Sequence, residues 1–472
     1  MNETIIIIVA IVAVLALSYG FSMWLTRKQQ KQSEVSADDW EIGGRELPLY
    51  VVVGTQFATA MGGGILVGQV GNGFNNGFSV MLYGLLCQLS FFILMFIAKW
   101  LRKHQFATVP EILLQFSGPS KAVRILAGIM TIVVPFGWCC SNLTAFAKLY
   151  TSITGIPINA LIIAMAVLCL LFVLPSGLKT VAWTDFIFGC LMVIIGFTVA
   201  LFTVKMGGGM GHVMATVPPE IVEMPDSLFS VGLSTTVLWI FSLTPGGLTN
   251  QMYYQRILAC KDTKQVNKSL AITIMAALIA YVWAVVVGLS VRSMNPGLAD
   301  GEMATGWLMT QLPLWVVALF SGLVVCTILS TISSGVQSVV VNLNRDIYRT
   351  LNPDVDEKQA VKLSRILSVA VLALAVCISM FFPQVMSMLV LTYSFSAAGL
   401  VCPIFLSYIL RKKNMITKNG IIAGMVVGIA VCAVSMQFNS VVPYVIWGCL
   451  FSGISMVVFS KLDKKNPAYQ EQ

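Results

Sequence analysis

Apolar runs of about 18 residues or more, long enough to cross a hydrocarbon core of roughly 30 Å, recur about thirteen times along this chain and nearly fill it. Inside a bilayer no water is present to satisfy peptide groups, so each run must bond its own backbone as a helix. The expected fold class is therefore an all-α polytopic membrane protein. Composition leads the same way: of 472 residues, 57% are hydrophobic and only 10% charged, whereas soluble domains carry roughly 25% charge. Little sequence is left over for a soluble domain.

Loop charges orient the runs. The first, TIIIIVAIVAVLALSYGFSMWL, is too long for the apolar core of a signal peptide, and its cations Arg27, Lys28 and Lys31 follow it rather than precede it. It reads as a true span that enters with the N-terminus outside. From that start, all of the 29 Lys and Arg except Lys148, Lys205 and Arg292 fall on the inner side, as the positive-inside rule requires. The net charge of +9 then reports topology and attraction to anionic headgroups. A lipid bilayer, the cell's inner (plasma) membrane, is the implied partner, and nucleic acid is not.

Enzyme chemistry lacks material here. The two histidines, His104 and His212, sit in loops on opposite sides, which removes a histidine-based metal or acid–base centre. Eleven cysteines, with Cys139 and Cys140 adjacent, show no C-x-x-C spacing and read as small buried apolar residues. No organic cofactor and no obligate protein partner is implied.

A leading span and loop occupy 1–48. The next ten spans divide into five within 49–204 and five within 228–410, and two peripheral spans with a short tail follow in 416–472. Because five is odd, the second set enters the membrane in the opposite direction. Each set opens with an interrupted span: Gly62, Gly63 and Gly64 in the first, TPGG at 244–247 in the second. Matched interruptions in inverted halves point to a transporter site near the midplane. Glycines spaced by four would pack helices together, but three in a row favour unwinding, since each costs a helix about 1 kcal/mol relative to Ala. Carbonyls freed at that depth are tolerated only where they bind something. The later Gly68, Gly71, Gly73 and Gly77 read as close packing and an outer turn.

Thr327, Ser330, Thr331, Ser333, Ser334 and Ser338 crowd into one span. Their three- and four-residue spacings line a helical face with oxygen, the ligand type a hard cation takes. Asp185, six residues past Lys179, lies about 9 Å along its helix, within the apolar zone, and no other acidic residue reads as deep in a span. Such a carboxylate is expected to meet a cation.

The segments DDWEIGGRELP, LKTVAWTD, NQMYYQRILACKD and LSTISS followed by NRDIY resemble, in order and over nearly the whole chain, the sodium:solute symporter family. The resemblance implies a leucine-transporter-type 5+5 inverted repeat with one extra N-terminal and two extra C-terminal helices. It also implies sodium-coupled uptake of a small solute by alternating access. A principal sodium ion would take the carbonyls of Ala58 and Met61 together with Thr327, Ser330 and Thr331. A second, as in sialic acid transporters, would use Asp185, Ser330, Ser333 and Ser334. Substrate is expected between the breaks, at Gly62, Gly63, Gly64, Ile65, Thr244, Gly247, Asn250 and Gln251, with Trp138 and Asn142 facing them.

Departures narrow the solute. Ala60 and Asn250 stand where the choline branch looks aromatic, so the cage a quaternary ammonium needs is not reproduced. No arginine stands near Trp138 to clamp a carboxylate as in the sialic acid branch. A neutral or zwitterionic polar solute is favoured. The alternatives are an organic anion such as pantothenate or a monocarboxylate, proton coupling on the same fold, and a solute sensor that does not transport.

Overall fold

The structure is a computed structural model and describes residues 3–30, 47–104, 106–173, 178–260, 262–413, 415–438 and 441–463. The segment DDWEIGGRE (38–46) and the charges Lys31, Arg45, Lys464 and Lys465 lie outside the described residues. The first part of the chain forms α1 (Glu3–Gln30), α2 (Leu49–Ala60), α3 (Val70–Asn76), α4 (Ser79–His104), α5 (Val109–Ser117), α6 (Lys121–Thr131), α7 (Val133–Thr154), α8 (Ile158–Val173) and α9 (Leu178–Met206). The second forms α10 (Leu233–Gly247), α11 (Gln251–Ala259), α12 (Thr263–Met294), α13 (Ala304–Gln311), α14 (Leu314–Val341), α15 (Glu357–Phe381), α16 (Val385–Ser396), α17 (Lys418–Ser435) and α18 (Tyr444–Leu462).

Among the described residues nine helices are long and apolar enough to cross a membrane, and Ile6–Phe21, Leu49–Ala58 and Ile158–Val173 are apolar but shorter. Two of the expected spans fall short of full length for one reason: each is split. α2 and α3 are separate halves joined through a π-helix at Gly64–Gln69, and α10 and α11 are separate halves divided at 248–250. Where helices begin, side chains cap them as local chemistry dictates. Ser120, Asp262, Asp356 and Thr417 each accept the backbone N–H three residues on, satisfying a donor the helix cannot.

At the centre stands α14. From Phe320 to Val341 every residue is buried, the mark of a helix surrounded on all sides, and α1, α2, α7, α8, α9 and α15 pack around it. Elsewhere α3 crosses α12 so closely that a Cβ on Gly288 would lie 2.6 Å from the Val70 carbonyl oxygen. Gly77 turns the chain out of α3 at φ +53°, a conformation open to glycine at no steric cost.

The end of the bundle that gathers most of the basic residues is closed by a polar network. Asp346, fully buried, accepts from Thr108 Oγ1 (3.0 Å), Arg124 Nε (3.0 Å) and Asn342 Nδ2 (3.1 Å). Glu111 meets Arg124 (3.3 Å) and Arg345 (2.9 Å) and accepts the Ala107 N–H at 2.7 Å. A π-helix at Asn342–Tyr348 continues α14 and turns the Asp346 carboxylate inward at this end of the bundle. Near the opposite end the buried Lys148 holds Asp300 (2.8 Å) and Glu302 (2.6 Å), and Glu302 also accepts the first N–H groups of α16, from Val385 and Met386.

Removing Arg124 strands the Asp346 carboxylate on two neutral donors. R124A is expected to cost roughly 2–3 kcal/mol, read as a lowered thermal unfolding midpoint of the purified protein in detergent. An unchanged midpoint would show that the network contributes nothing.

Candidate functional site

The break in the first interrupted span follows from its hydrogen bonds. The last donor to follow α2 is Met61 N–H, to the Phe57 carbonyl. Ile65 and Leu66 then both donate to the Gly62 carbonyl at 3.1 Å, so Ile65 leaves the Met61 carbonyl unclaimed. The carbonyl of Ala58 lies in the last turn of α2, where intrahelical donors run out. Gly63 N–H donates instead to Asn142 Oδ1 on α7 (2.7 Å), and that amide is held by its Nδ2 on the Trp138 carbonyl (2.8 Å).

The unwound segment is shorter than expected from the sequence. Only Met61 and Gly62 leave the helix, and Gly64 already belongs to the π-helix, because Asn142 caps the second half at Gly63. Backbone proximity explains the glycines. A Cβ on Gly62 would lie 2.6 Å from Thr331 Oγ1, and one on Gly63 2.3 Å from Ala145 Cβ.

Around this break the expected cation ligands come together in part. Gly62 abuts Thr331, and α2, which carries Ala58, packs on both α14 and α9. Thr327 Oγ1 donates to the Val324 carbonyl (3.0 Å) and Thr331 Oγ1 to the Thr327 carbonyl (2.9 Å), the local bonding usual for hydroxyls in helices. Asp185, wholly buried, accepts from Ser330 Oγ and from Thr55 Oγ1. Ser333 Oγ is buried without a partner among the described residues, and Ser334 Oγ accepts from Arg256 Nη2 at 3.0 Å.

Two members of this cluster escaped the sequence reading. Thr55 lies one turn before Ala58 on the same face, a spacing that could have flagged it. Arg256 was counted among loop cations, yet it is only 3% exposed and turned inward.

Beside the cluster lies a cavity of about 60 Å³. Of the residues expected to face substrate, Gly62, Gly64, Ile65, Trp138 and Asn142 line it. Gly63 does not, being pinned between Asn142 and Ala145. The residues of the second break do not line it; most of their polar atoms are engaged locally, while Asn250 Nδ2 is buried without a partner among the described residues. Thr244 Oγ1 donates to the Leu86 carbonyl (2.6 Å) and Gly247 packs on Ser90. Asn250 caps α11 through the Met252 N–H, and Gln251 bonds Val109 N–H (2.9 Å) and the Ala107 carbonyl (3.2 Å) in the basic end.

In their place stand Gln56, Gln69, Gln88, four tyrosines (Tyr83, Tyr253, Tyr281, Tyr393) and Arg256, so a cation does share the cavity with Trp138. A wider cavity of about 740 Å³, lined by Asn72, Trp239, Glu302, Gln384 and Met386 among others, lies toward the opposite end. Gln69 of the first cavity donates to Met386 Sδ of the second (3.2 Å).

A broken helix, a buried carboxylate among hydroxyls and an adjacent cavity are the parts of an ion-coupled carrier. The sequence profile of the sodium:solute symporter family matches residues 40–428. The chain belongs to the sodium:solute symporter family. This symporter is 25% identical over 452 residues to a sodium/glucose cotransporter of Vibrio parahaemolyticus, covering 88% of this chain and 82% of the relative. It is 23% identical over 472 residues to the sodium/proline symporter of Escherichia coli strain K12, covering 96% and 92%.

In structure the symporter matches a Na+-coupled sialic acid symporter solved substrate-bound and outward-open, with a TM-score of 0.83 at 15% identity over 100% of this chain and 99% of that one. A nucleobase-cation-symport-1 family transporter matches at a TM-score of 0.60 and 13% identity, over 90% and 94%. The fold is of the leucine-transporter type. The protein is an integral membrane transporter that couples solute movement to sodium, and it is not an enzyme.

Gly63→Leu tests the break. It forces a side chain into Ala145, so the variant is expected to reach the membrane fraction at normal levels while losing sodium-dependent thermal stabilisation and uptake. Wild-type behaviour in both would contradict the role given to this backbone.

Proposed function

We propose that the symporter carries a small neutral or zwitterionic polar solute, of about the bulk of an amino acid, into the cell across the plasma membrane with sodium. The observation supporting this most strongly is a set of polar groups that lack protein partners among the described residues, on residues lining one cavity. Gln56 Nε2 and Trp138 Nε1 are donors and Gln88 Oε1 is an acceptor. Thr273 Oγ1 donates to Gln56 Oε1 at 2.6 Å, which fixes the amide and leaves its NH₂ over. An unmet buried polar group costs about 1–3 kcal/mol, so a ligand offering acceptors to two N–H groups and a donor to one carbonyl removes a penalty the empty protein bears.

Charge and size support the same class. Among the described residues Arg256 is the only charged one lining the cavity, and it interacts electrostatically with Asp185, so the pair is close to neutral together. The space of about 60 Å³ corresponds to roughly four waters at 10–15 Å³ each. Proline and glucose, carried by the named relatives, both belong to the neutral or zwitterionic class.

In this reading one sodium ion takes the carbonyls of Ala58 and Met61 with Thr327, Ser330 and Thr331, and a second takes Asp185, Ser330, Ser333 and Ser334. Sodium at the first site fixes the helix end whose continuation, Gly62 to Ile65, borders the solute. Ordering by one ligand lowers the cost for the other, a reciprocal coupling of about 1–3 kcal/mol. With the N-terminus outside, the Asp346 network closes the cytoplasmic side and the wider cavity is the external vestibule, so the two five-helix repeats stand in an outward-facing, closed-over form.

A thermal-shift screen of small polar metabolites, run in sodium and in potassium, is expected to yield hits of this class only in sodium. Hits confined to anions, or indifferent to sodium, would overturn the reading. Gln88→Leu is expected to weaken binding of such a hit about tenfold, a 1.4 kcal/mol loss, while leaving the response to sodium alone unchanged. Flux stoichiometry adds a further check: Asp185→Asn is expected to reduce two sodium ions per solute to one.

A further inference from the structure

Among the described residues Arg256 is the one shared by the cation cluster and the solute cavity. Its Nη2 donates to Ser334 Oγ (3.0 Å), its Nη1 to the Met252 carbonyl (3.1 Å), and it lines the cavity with Trp138 and Asn142. Beside it, Ser333 Oγ is buried without a partner among the described residues, and Asp185 lies within electrostatic reach. We propose that Arg256 is a tethered cation that sodium displaces from the Asp185–Ser334 cluster toward the solute cavity, where the guanidinium then meets the solute's acceptor group.

The proposal rests on reading Asp185, Ser330, Ser333 and Ser334 as a cation site. A bare sodium ion and a guanidinium compete for the same oxygen of Ser334 and for the field of the same carboxylate, and their like charges repel strongly at such range in a low-dielectric interior. The nearest polar surroundings open to the displaced group are those of the cavity it already lines. Arginine suits the task, because its charge persists when buried and its planar fork meets an acceptor through paired N–H groups. Sodium would in this way supply the solute site with a donor that is otherwise engaged, a second route of coupling beside the broken helix. The residue favours solutes that present a carboxylate or carbonyl to it.

The test titrates sodium alone, at constant ionic strength with potassium, against thermal stability of the purified full-length protein. Arg256→Gln removes the competitor and is expected to lower the half-saturating sodium concentration about tenfold. Arg256→Lys retains the charge and is expected to stay within about twofold of wild type. An Arg256→Gln curve that is unchanged or shifted to higher sodium overturns the proposal. If Asp185→Asn leaves the sodium response unchanged, the cation site itself is removed and the proposal goes with it. Should Arg256→Gln fail to insert, phenylglyoxal labelling of the wild-type protein, read by peptide mass spectrometry against Arg102 and Arg345, answers the same question. Labelling of Arg256 is expected to rise several-fold in sodium over potassium, and equal labelling overturns the displacement.

Discussion

Every peptide group inside a hydrocarbon core needs a partner, and this protein interrupts a helix there. The stability of that interruption depends on one contact, the Gly63 N–H on Asn142 Oδ1. It ends the unwound stretch of the chain after two residues, lets a π-turn take up the slack, and leaves carbonyls before the break available to something that is not protein. π-turns are uncommon and concentrate where function distorts helices. Here one continues the broken helix, and another carries α14 into the network at the basic end.

From that contact the rest of the arrangement follows. Asn142 belongs to α7, whose Trp138 carbonyl holds the amide and whose Trp138 side chain borders the smaller cavity. Gly62, lacking a side chain, brings the break against Thr331 on α14. α14 in turn presents Ser330 to Asp185 and Ser334 to Arg256, and its continuation presents Asp346 to Arg124. One buried helix therefore links the ion cluster with the closure at the basic end. A rigid element of this kind is what transmits a binding event between distant sites.

Much of this was legible in the residues, and the reasons differ by element. Hydropathy alone marks the helices, because lipid leaves the backbone no alternative. Three consecutive glycines marked the break, and a carboxylate within an apolar run marked Asp185, because each is costly unless used. What escaped was set by contacts between residues far apart in sequence. Arg256 stands at a helix end where charge counting assigns a loop, and only the packing of α11 against α14 turns it inward. Asp346 looked peripheral for the same reason. Thr244, Gly247, Asn250 and Gln251 carried a signal like that of the first break, yet they cap, pack and bond locally and do not line the cavity. Gln56 and Gln88 were indistinguishable from other polar residues until their partners, or lack of them, could be traced.

The central claim is that sodium and solute order the same stretch of backbone. Isothermal titration of a solute identified by screening, in sodium and then in potassium at equal ionic strength, measures this directly. Sodium is expected to tighten binding about 5- to 150-fold, the range of typical coupling free energies. Equal affinity in the two salts would contradict the account.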